Sequence, residues 1–217
     1  MHPSRIGGVT VRVVLGALVA LAPSCSSTFT ARACASDDDC AGNVCEIRSG
    51  KPTCVDPSSA SLRVGMSAPL TGPSQSLGTE MKRGVSLAFD EQNAKGGIRG
   101  RKLVLDVRDD QYQPELAEAS ARALVDVRES ASPPKCPTTT TPAVAGQTPI
   151  SSTALERGPD GVIAFLGNVG TPTMVRAAPV SLETGTLFFG AFTGASPILR
   201  DGLAGPCAKY VFNVRAS

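Results

Sequence analysis

The sequence predicts an α/β fold in which a doubly wound parallel sheet carries helices on both faces. Two observations support this prediction. Short apolar runs, which are typical of buried strands, alternate along the chain with segments whose apolar residues recur at helical spacing. The runs are also nearly continuously apolar, as in strands that are covered on both faces. Because ligands of such sheets bind beyond the carboxyl ends of the strands, functional residues are expected there.

The first strand–helix–strand unit covers residues 62–110. Residues 62–70 are apolar and end in a Thr-Gly-Pro turn, as a buried strand does. The apolar spacing becomes helical from Glu80, and the glycines at 96–97 end the helix. Residues 102–108 supply a second strand, and such a unit is almost always right-handed with parallel strands. The helical stripe consists of Met81, Val85, Ala88 and Phe89.

The rest of the chain continues this alternation. A second helix is predicted from Pro114 to about Arg128, with an apolar stripe of Leu116, Ala119, Ala123 and Val127. Residues 130–153 are rich in Pro, Thr, Ser and Ala without periodicity, so we interpret them as a long surface loop and assign no chemistry to it. The remaining predicted elements are a strand at 161–166, a helix containing Val175, Ala178 and Leu182, and strands at 186–190 and 209–215.

Residues 1–24 are predicted to be an export signal, because two arginines accompany a short apolar core at 13–21. Two cleavage sites compete. Leu21-Ala-Pro-Ser-Cys25 resembles a lipoprotein box, in which Cys25 becomes the lipidated N-terminus, and Ala31-Arg-Ala33 is an ordinary signal peptidase site. We favour the lipoprotein interpretation. Both sites predict an extracytoplasmic protein, in the periplasm or at the cell surface, and in the first case membrane contact is made only through the lipid anchor.

The chain has 7 cysteines, and an even number remains once Cys25 is used, as expected in an oxidising compartment. Cys34, Cys40, Cys45 and Cys54 lie in residues 25–60, which we interpret as a disulfide-rich segment and linker. A four-thiolate zinc site is the alternative, but the close C-x2-C pairs of such sites are missing. With these four cysteines paired, Cys136 and Cys207 are expected to pair with each other. The aspartates at 37–39 are interpreted as a solvated run, so no metal or cofactor is expected.

Composition and motifs argue against several classes of function. The formal net charge is +2, which gives no reason to expect nucleic acid or an anionic membrane as a partner. His2 is the only histidine and would leave with the export signal, which removes Ser-His-Asp triads, Cys-His dyads and histidine metal sites. The sequence has no G-x-G-x-x-G after the first strand, no P-loop motif and no G-x-S-x-G. We therefore predict a protein that is not an enzyme.

Three predicted strand ends carry loops of glycine and small hydroxyl residues, at 71–76, 167–171 and 192–194. Such loops expose backbone N–H groups at helix starts, which suits a carboxylate or another small anion. For any one loop, ordinary strand-to-helix turn chemistry is the commoner explanation. Three such loops at one sheet edge indicate a binding cleft, with Thr71 and Ser76 as candidate contacts in the first loop.

From residue 62 onward the chain resembles the type I periplasmic solute-binding proteins of the branched-chain amino acid transporter family. The motifs that carry the resemblance are Val64-Gly-Met-Ser-Ala-Pro-Leu-Thr-Gly-Pro73, Asn93-Ala-Lys-Gly-Gly-Ile-Arg-Gly100, Asp109-Asp-Gln111 with Pro114, Gly167-Asn-Val-Gly-Thr171, Phe192-Thr-Gly-Ala195 and Tyr210-Val-Phe-Asn-Val-Arg215. The resemblance implies two α/β lobes that close around a small, amino acid-like solute and pass it to the membrane permease of an ABC transporter. Residues 61–217 would then be an incomplete first lobe in a truncated chain.

The resemblance also implies which residues contact the solute. The family binds the carboxylate and amino groups of its ligand at the loops after the third and fourth strands. These loops correspond to Val169, Gly170, Thr171, Phe192, Thr193 and Gly194. In the first loop, Leu77 takes the place of an aromatic residue that usually precedes a glycine, whereas Asp109 and Asp110 are expected to cap the second helix. The alternative function is a surface sensor or protein-interaction module whose Cys-rich segment contacts a partner.

Overall fold

The computed structural model describes residues 33–46, 51–131, 154–194 and 209–214, in which strands and helices alternate as predicted. In chain order the elements are β1 (Val44–Glu46), β2 (Thr53–Val55), β3 (Ser61–Ala68), α1 (Gln75–Ala94), β4 (Lys102–Asp109), α2 (Pro114–Leu124), β5 (Val127–Glu129), β6 (Leu155–Arg157), β7 (Ala164–Leu166), α3 (Thr171–Thr184), β8 (Leu187–Ala191) and β9 (Val211–Asn213). The predicted export signal, Cys25, Cys136 and Cys207 lie outside the described residues. Among the described helices, none has the length and apolarity needed to cross a bilayer.

The main sheet has five parallel strands in the order β4-β3-β7-β8-β9. Alternate residues of β3 face opposite layers, since Gly65 faces Leu124 of α2 whereas Met66 packs with Met81 of α1. The predicted doubly wound parallel sheet is thereby confirmed. Its strand order reverses between β3 and β7, and the loops that leave these two strands diverge there. This topological switch point is where a doubly wound sheet opens a crevice for ligands.

The two faces of the sheet are covered unequally. On the α2 and α3 face, Phe165 and Phe188 stack with their ring centroids 5.0 Å apart inside a continuous apolar core. On the other face, α1 covers β3 and β4. Over β8 and β9, Leu187, Phe189 and Phe212 remain 38%, 49% and 41% exposed. The rigid, buried layer therefore lies behind the loops that follow β7 and β8.

Two helix boundaries differ from the sequence prediction. Helix α1 begins at Gln75, before the predicted start at Glu80, and Ala88 of its predicted apolar stripe is exposed. Helix α2 ends at Leu124, so Val127 belongs to β5 and not to the helix. Strand β5 pairs antiparallel with β6, and this ribbon brackets the predicted surface loop, of which residues 132–153 lie outside the described part. The helix ends early because Val127 gains a strand partner.

The predicted disulfide-rich segment is confirmed. Cys34 is bonded to Cys45 and Cys40 to Cys54, while β1 and β2 form an antiparallel pair around them. Because all four sulfurs are in disulfides, none of them remains as a thiolate for zinc. Asp37 accepts a hydrogen bond from the Cys45 N–H at 2.9 Å and forms an ion pair with Arg101 at 3.0 Å.

Candidate functional site

The loops after β7 and β8 run side by side at the carboxyl edge of the sheet. Val169 and Phe192 form an isolated parallel bridge beyond the ends of these two strands. The N–H of Gly170 donates to the Phe192 carbonyl at 3.2 Å, and the Phe192 N–H donates to the Asn168 carbonyl at 2.9 Å. Two of the three predicted small-residue loops are therefore held together by backbone hydrogen bonds, next to the switch point.

Helix α3 begins in this pair of loops. Gly170 is its N-cap and has no side chain, so the first-turn N–H groups receive no side-chain cap from it. The hydroxyls of Thr171 and Thr193 lie 2.7 Å apart, and Thr193 is only 1% exposed. The start of α3 thus combines helix-dipole N–H donors with two paired hydroxyl groups, an arrangement that suits a carboxylate.

A recess of about 350 Å³ opens nearby between the first turns of α1 and the loop after β8. It is lined by Ser76, Leu77, Glu80, Met81 and Phe192. Most of the lining is apolar, and Leu77 is 50% exposed. An apolar recess beside a few convergent polar groups is the usual form of a small-molecule site.

Gly78 explains why α1 reaches this edge. A Cβ atom at Gly78 would lie 2.0 Å from the carbonyl oxygen of Pro69, so only glycine lets the helix pack directly on the loop after β3. The first turns of α1 are positioned by this contact and not by a side-chain cap, since Ser74 at the N-cap makes no capping hydrogen bond.

The predicted site residues are partly brought together. Leu77, Ser76 and Phe192 share the recess, and Thr171 contacts Thr193. Val169 is buried against Met66 and Ala68, so its backbone and not its side chain is available at the edge. The remaining three are Thr71, in the exposed turn after β3, Gly170, the N-cap of α3, and Gly194, which follows Thr193.

Thr71 is held by Asp109 at the end of β4. The Thr71 hydroxyl donates to Asp109 Oδ2 at 2.6 Å, and the Leu70 N–H donates to Oδ1 at 2.8 Å. Partial burial raises the pKa of Asp109, but hydrogen bonds from the Thr71 hydroxyl and from the N–H groups of Leu70 and Gln111 together lower it. The ionised carboxylate therefore fixes the loop after β3.

Asp110 lies next to it in the chain but is fully buried, at 0% exposure. Its carboxylate accepts hydrogen bonds from the Ser67 hydroxyl at 2.7 Å and from the Tyr112 N–H at 2.9 Å. Burial raises the pKa of Asp110, the two hydrogen bonds offset only part of that effect, and the charge of Asp109 raises it further. The expectation that both aspartates cap α2 is wrong, because the N-cap is Gln113 and no side chain bonds there.

The two aspartates give a pH prediction. The pKa of Asp110 is higher in the folded than in the unfolded state. The contribution of Asp110 to the stability of the fold is therefore complete below pH 3.8, the ordinary pKa of aspartate, and is lost as the pH rises through the folded-state pKa. We therefore expect the wild type to lose stability relative to Asp110→Asn as the pH rises. Asp109→Asn is the matched control, for which the opposite sign is expected. Because the pKa of Asp109 is lowered in the folded state, Asp109 stabilises the wild type above pH 3.8, and this stabilisation is lost on acidification. Urea unfolding from about pH 3 to about pH 7 measures both slopes, and slopes of equal sign would contradict the assignment.

Sequence reasoning missed two residues at this edge. Asn168 is buried at a positive φ of 137°, and its side-chain oxygen accepts a hydrogen bond from the Thr173 hydroxyl at 3.1 Å. Tyr112 lies against Gly170, where a Cβ atom would come within 2.3 Å of the phenol oxygen. An aromatic residue two positions after the predicted end of a strand was the available signal for Tyr112.

Comparison with known proteins identifies sequences and structures that are similar to this chain. Residues 61–131 match the family model of the periplasmic binding proteins. The chain is 42% identical over 66 residues to the Leu/Ile/Val-binding protein BraC3 of Rhizobium johnstonii. It is also 43% identical over 75 residues to the Leu/Ile/Val-binding protein homolog 7 of Brucella abortus. These matches cover 30% and 35% of this chain, and the chain spans only 18% of the length of each relative.

Solved structures share the fold. The periplasmic binding protein type 1 from Bordetella pertussis is similar at a TM-score of 0.51 and 22% identity, over 70% of this chain and 33% of that one. A putative branched-chain amino acid ABC transporter protein from Rhodospirillum rubrum gives a TM-score of 0.51 and 21% identity, over 72% and 35%. The lobe therefore has the α/β fold of the type 1 periplasmic binding proteins. Residues 61–131 are therefore similar in sequence to the periplasmic binding proteins.

Proposed function

We propose that this chain is the extracytoplasmic solute-binding component of an ABC-type transport system for branched-chain or similar amino acids. The observation that carries the proposal is the pairing of Thr171 and Thr193 at the start of α3, next in the chain to Phe192, which lines a mostly apolar recess. The names of the relatives, which are Leu/Ile/Val-binding proteins, support the same class of solute.

In this proposal the solute carboxylate binds at the first turn of α3. The N–H groups of the turn provide the donors together with one hydroxyl of the Thr171–Thr193 pair, since the other hydroxyl donates its proton within the pair. A helix start also favours negative charge. The aliphatic side chain of the solute enters the recess at Leu77 and Phe192. Glu80, at the rim, offers a carboxylate to the solute ammonium group.

The other proposed contacts are made by backbone atoms and by two hydroxyl side chains, one of which already makes a hydrogen bond within the protein. Val169, Gly170 and Gly194 offer only backbone atoms. Thr71 already donates its hydroxyl proton to Asp109, so it can only accept a hydrogen bond from the solute. Ser76, in the first turn of α1, adds a hydroxyl at the edge of the recess.

The described site contacts a solute from one side. Closure of a second lobe would add a comparable set of polar contacts, each worth about 1 kcal/mol or more, so a single open face should bind several orders of magnitude more weakly. We therefore expect the 217-residue chain to bind leucine, isoleucine or valine no better than millimolar.

Titration of the isotope-labelled full chain by NMR tests this function. We expect saturable shifts at residues around Thr193 with valine, weaker binding in Thr193→Val, and no change in Thr184→Val. Thr184 is a suitable control because its hydroxyl is also buried and bonded, but at the opposite end of α3. The absence of saturable shifts with all three amino acids, or equal weakening by both variants, would overturn the proposal.

We also propose where the protein works. Periplasmic binding proteins are extracytoplasmic, and the apolar core before Cys25 supports export by residues 1–24 with lipid attachment at Cys25. The rest of the chain would comprise the Cys-rich segment at 25–60 and the solute-binding lobe at 61–217. The lobe would hand its solute to a membrane permease without catalysing a reaction. Mass spectrometry of the mature N-terminus tests the anchor, because an unmodified peptide beginning at Cys34 would contradict it.

A further inference from the structure

The sheet face that carries α1 stays open over β8 and β9, and its side chains there are apolar. Phe189 of β8 is in register with Phe212 of β9, and their ring centroids lie 6.0 Å apart. At the carboxyl edge of the sheet, the recess lies on the same side, since α1 forms one of its walls. Six exposed residues form this surface, which we call the open face. They are Leu77, Leu187, Phe189, Phe192, Phe212 and Val214.

The open face is uncharged as well as apolar. Along β7, β8 and β9, alternate residues point towards α3 or away from it, and Phe165, Phe188 and Val211 point towards it. The residues between them, which point away, are Ala164, Leu166, Leu187, Phe189 and Phe212. A surface without charges offers no ion pairs to a nucleic acid or to a charged peptide. Two such surfaces can pack together without bringing like charges close to each other.

The open face is large enough for self-association. Aromatic side chains bury about 150–250 Å² each, so exposed fractions between 37% and 61% give the six residues roughly 500 Å² of accessible apolar surface. The largest apolar patch on a typical monomer is about 300–600 Å², and a patch of this size is often functional. Two copies that pack through the open face would bury roughly 1,000 Å² in total, which is the smallest area expected of a specific interface.

We propose that the open face is the interface of a symmetric dimer, in which it packs against the open face of a second copy of this chain. A twofold axis lets the same patch serve both copies, so a self-complementary apolar surface suffices. The two sheets would then stack face to face, about 10 Å apart, as in a β-sandwich. Phe189 and Phe212 are expected to contribute most, because buried aromatic residues dominate the energies of such interfaces.

Sedimentation velocity of the full chain tests the dimer. We expect a dissociation constant of about 10–100 µM, since the interface lies at the small end of specific ones. Phe189→Lys should weaken dimerisation at least about tenfold, because it places an unpaired charge inside the interface. Val104→Lys is the matched control and should leave dimerisation unchanged. Val104 is also an exposed apolar strand residue, but it points to the sheet face opposite that of Leu105, which packs with α1.

Circular dichroism shows whether each variant is folded. If Phe189→Lys does not fold, Val214→Lys replaces it, since Val214 is 61% exposed. A wild-type chain that stays monomeric up to about 500 µM would overturn the inference, and the occupant of the open face would then be another segment of this chain or a different protein. A dimer that the open-face variant leaves intact, or that Val104→Lys weakens equally, would also overturn it.

The dimer has a consequence for the recess, which rests on the proposed function. Phe192 and Leu77 belong both to the open face and to the lining of the recess, so a solute and a second copy compete for them. We therefore expect saturating valine to weaken dimerisation. Unchanged dimerisation, while NMR shows that valine binds, would remove these two residues from the interface. A chain that dimerises but binds no valine would overturn the proposed function and leave the interface standing.

Discussion

Replacing Gly170 by alanine is expected to destabilise the lobe by about 4 kcal/mol. Gly170 has φ 91° and ψ 155°, a region that is nearly restricted to glycine and costs other residues about 1–3 kcal/mol. The added methyl group would also lie 2.3 Å from the Tyr112 phenol oxygen, and overpacking of this kind costs about 1–3 kcal/mol more. Urea unfolding of the two chains measures the difference.

A matched control and a second background separate the two causes. Gly84 lies inside α1 with open space around it, so Gly84→Ala should be neutral or stabilising by up to about 1 kcal/mol. In a Tyr112→Ala background the phenol is absent, and Gly170→Ala should cost only the backbone strain. An equal cost in both backgrounds would show that Tyr112 does not occupy the space at Gly170.

The two adjacent aspartates illustrate how this edge is built. Asp109 faces the loop after β3 and stays ionised, whereas Asp110 faces the interior and has a raised pKa. Between them they hold Thr71, Ser67 and Tyr112, which belong to three different parts of the edge. The ends of β3 and β4 and the loop after β3 are thus tied together by side-chain hydrogen bonds, of which the bond between Ser67 and Asp110 is buried.

The strands and the edge that carries the site were predictable from the sequence. Mostly apolar runs such as residues 62–68 favour a buried parallel strand, and the glycine-rich loops mark the strand ends. The start of α1 was not predictable. It depends on the contact between Gly78 and Pro69, which are close only after the loop has folded back, and no capping side chain marks it.

Long-range contacts account for the other differences. Val127 fits a helical stripe, yet pairing with Arg157 across the intervening segment draws it into β5. The contact of Tyr112 with Gly170 depends on the left-handed backbone of Tyr112 and on the order of the strands, neither of which is visible in residue spacing. Likewise, four cysteines allow three pairings, and their spacing does not choose between them. The structure selects Cys34 with Cys45 and Cys40 with Cys54.

Loss of the Cys40–Cys54 bridge is expected to unfold the Cys-rich segment while the lobe stays folded. The two cysteines are separated by 14 positions, and cross-linking a loop of this size stabilises by about 3 kcal/mol. The buried cluster of this segment consists of the four cysteines themselves, so little other apolar burial remains to hold β1 and β2 together. We expect hydrogen exchange in the Cys40→Ser/Cys54→Ser variant to show rapid exchange at β1 and β2 and unchanged protection in β3 and β7.

Asp37→Asn provides the comparison for this experiment, because it weakens the contact between the segment and the lobe without touching a disulfide. The ion pair of Asp37 with Arg101 is partly exposed and should contribute about 1 kcal/mol or less. We therefore expect Asp37→Asn to keep most of the protection at β1 and β2. If the double serine variant retained that protection, packing other than the disulfide would be the main stabiliser of the segment. If Asp37→Asn lost as much protection as the double serine variant, the ion pair would stabilise the segment as much as the disulfide does.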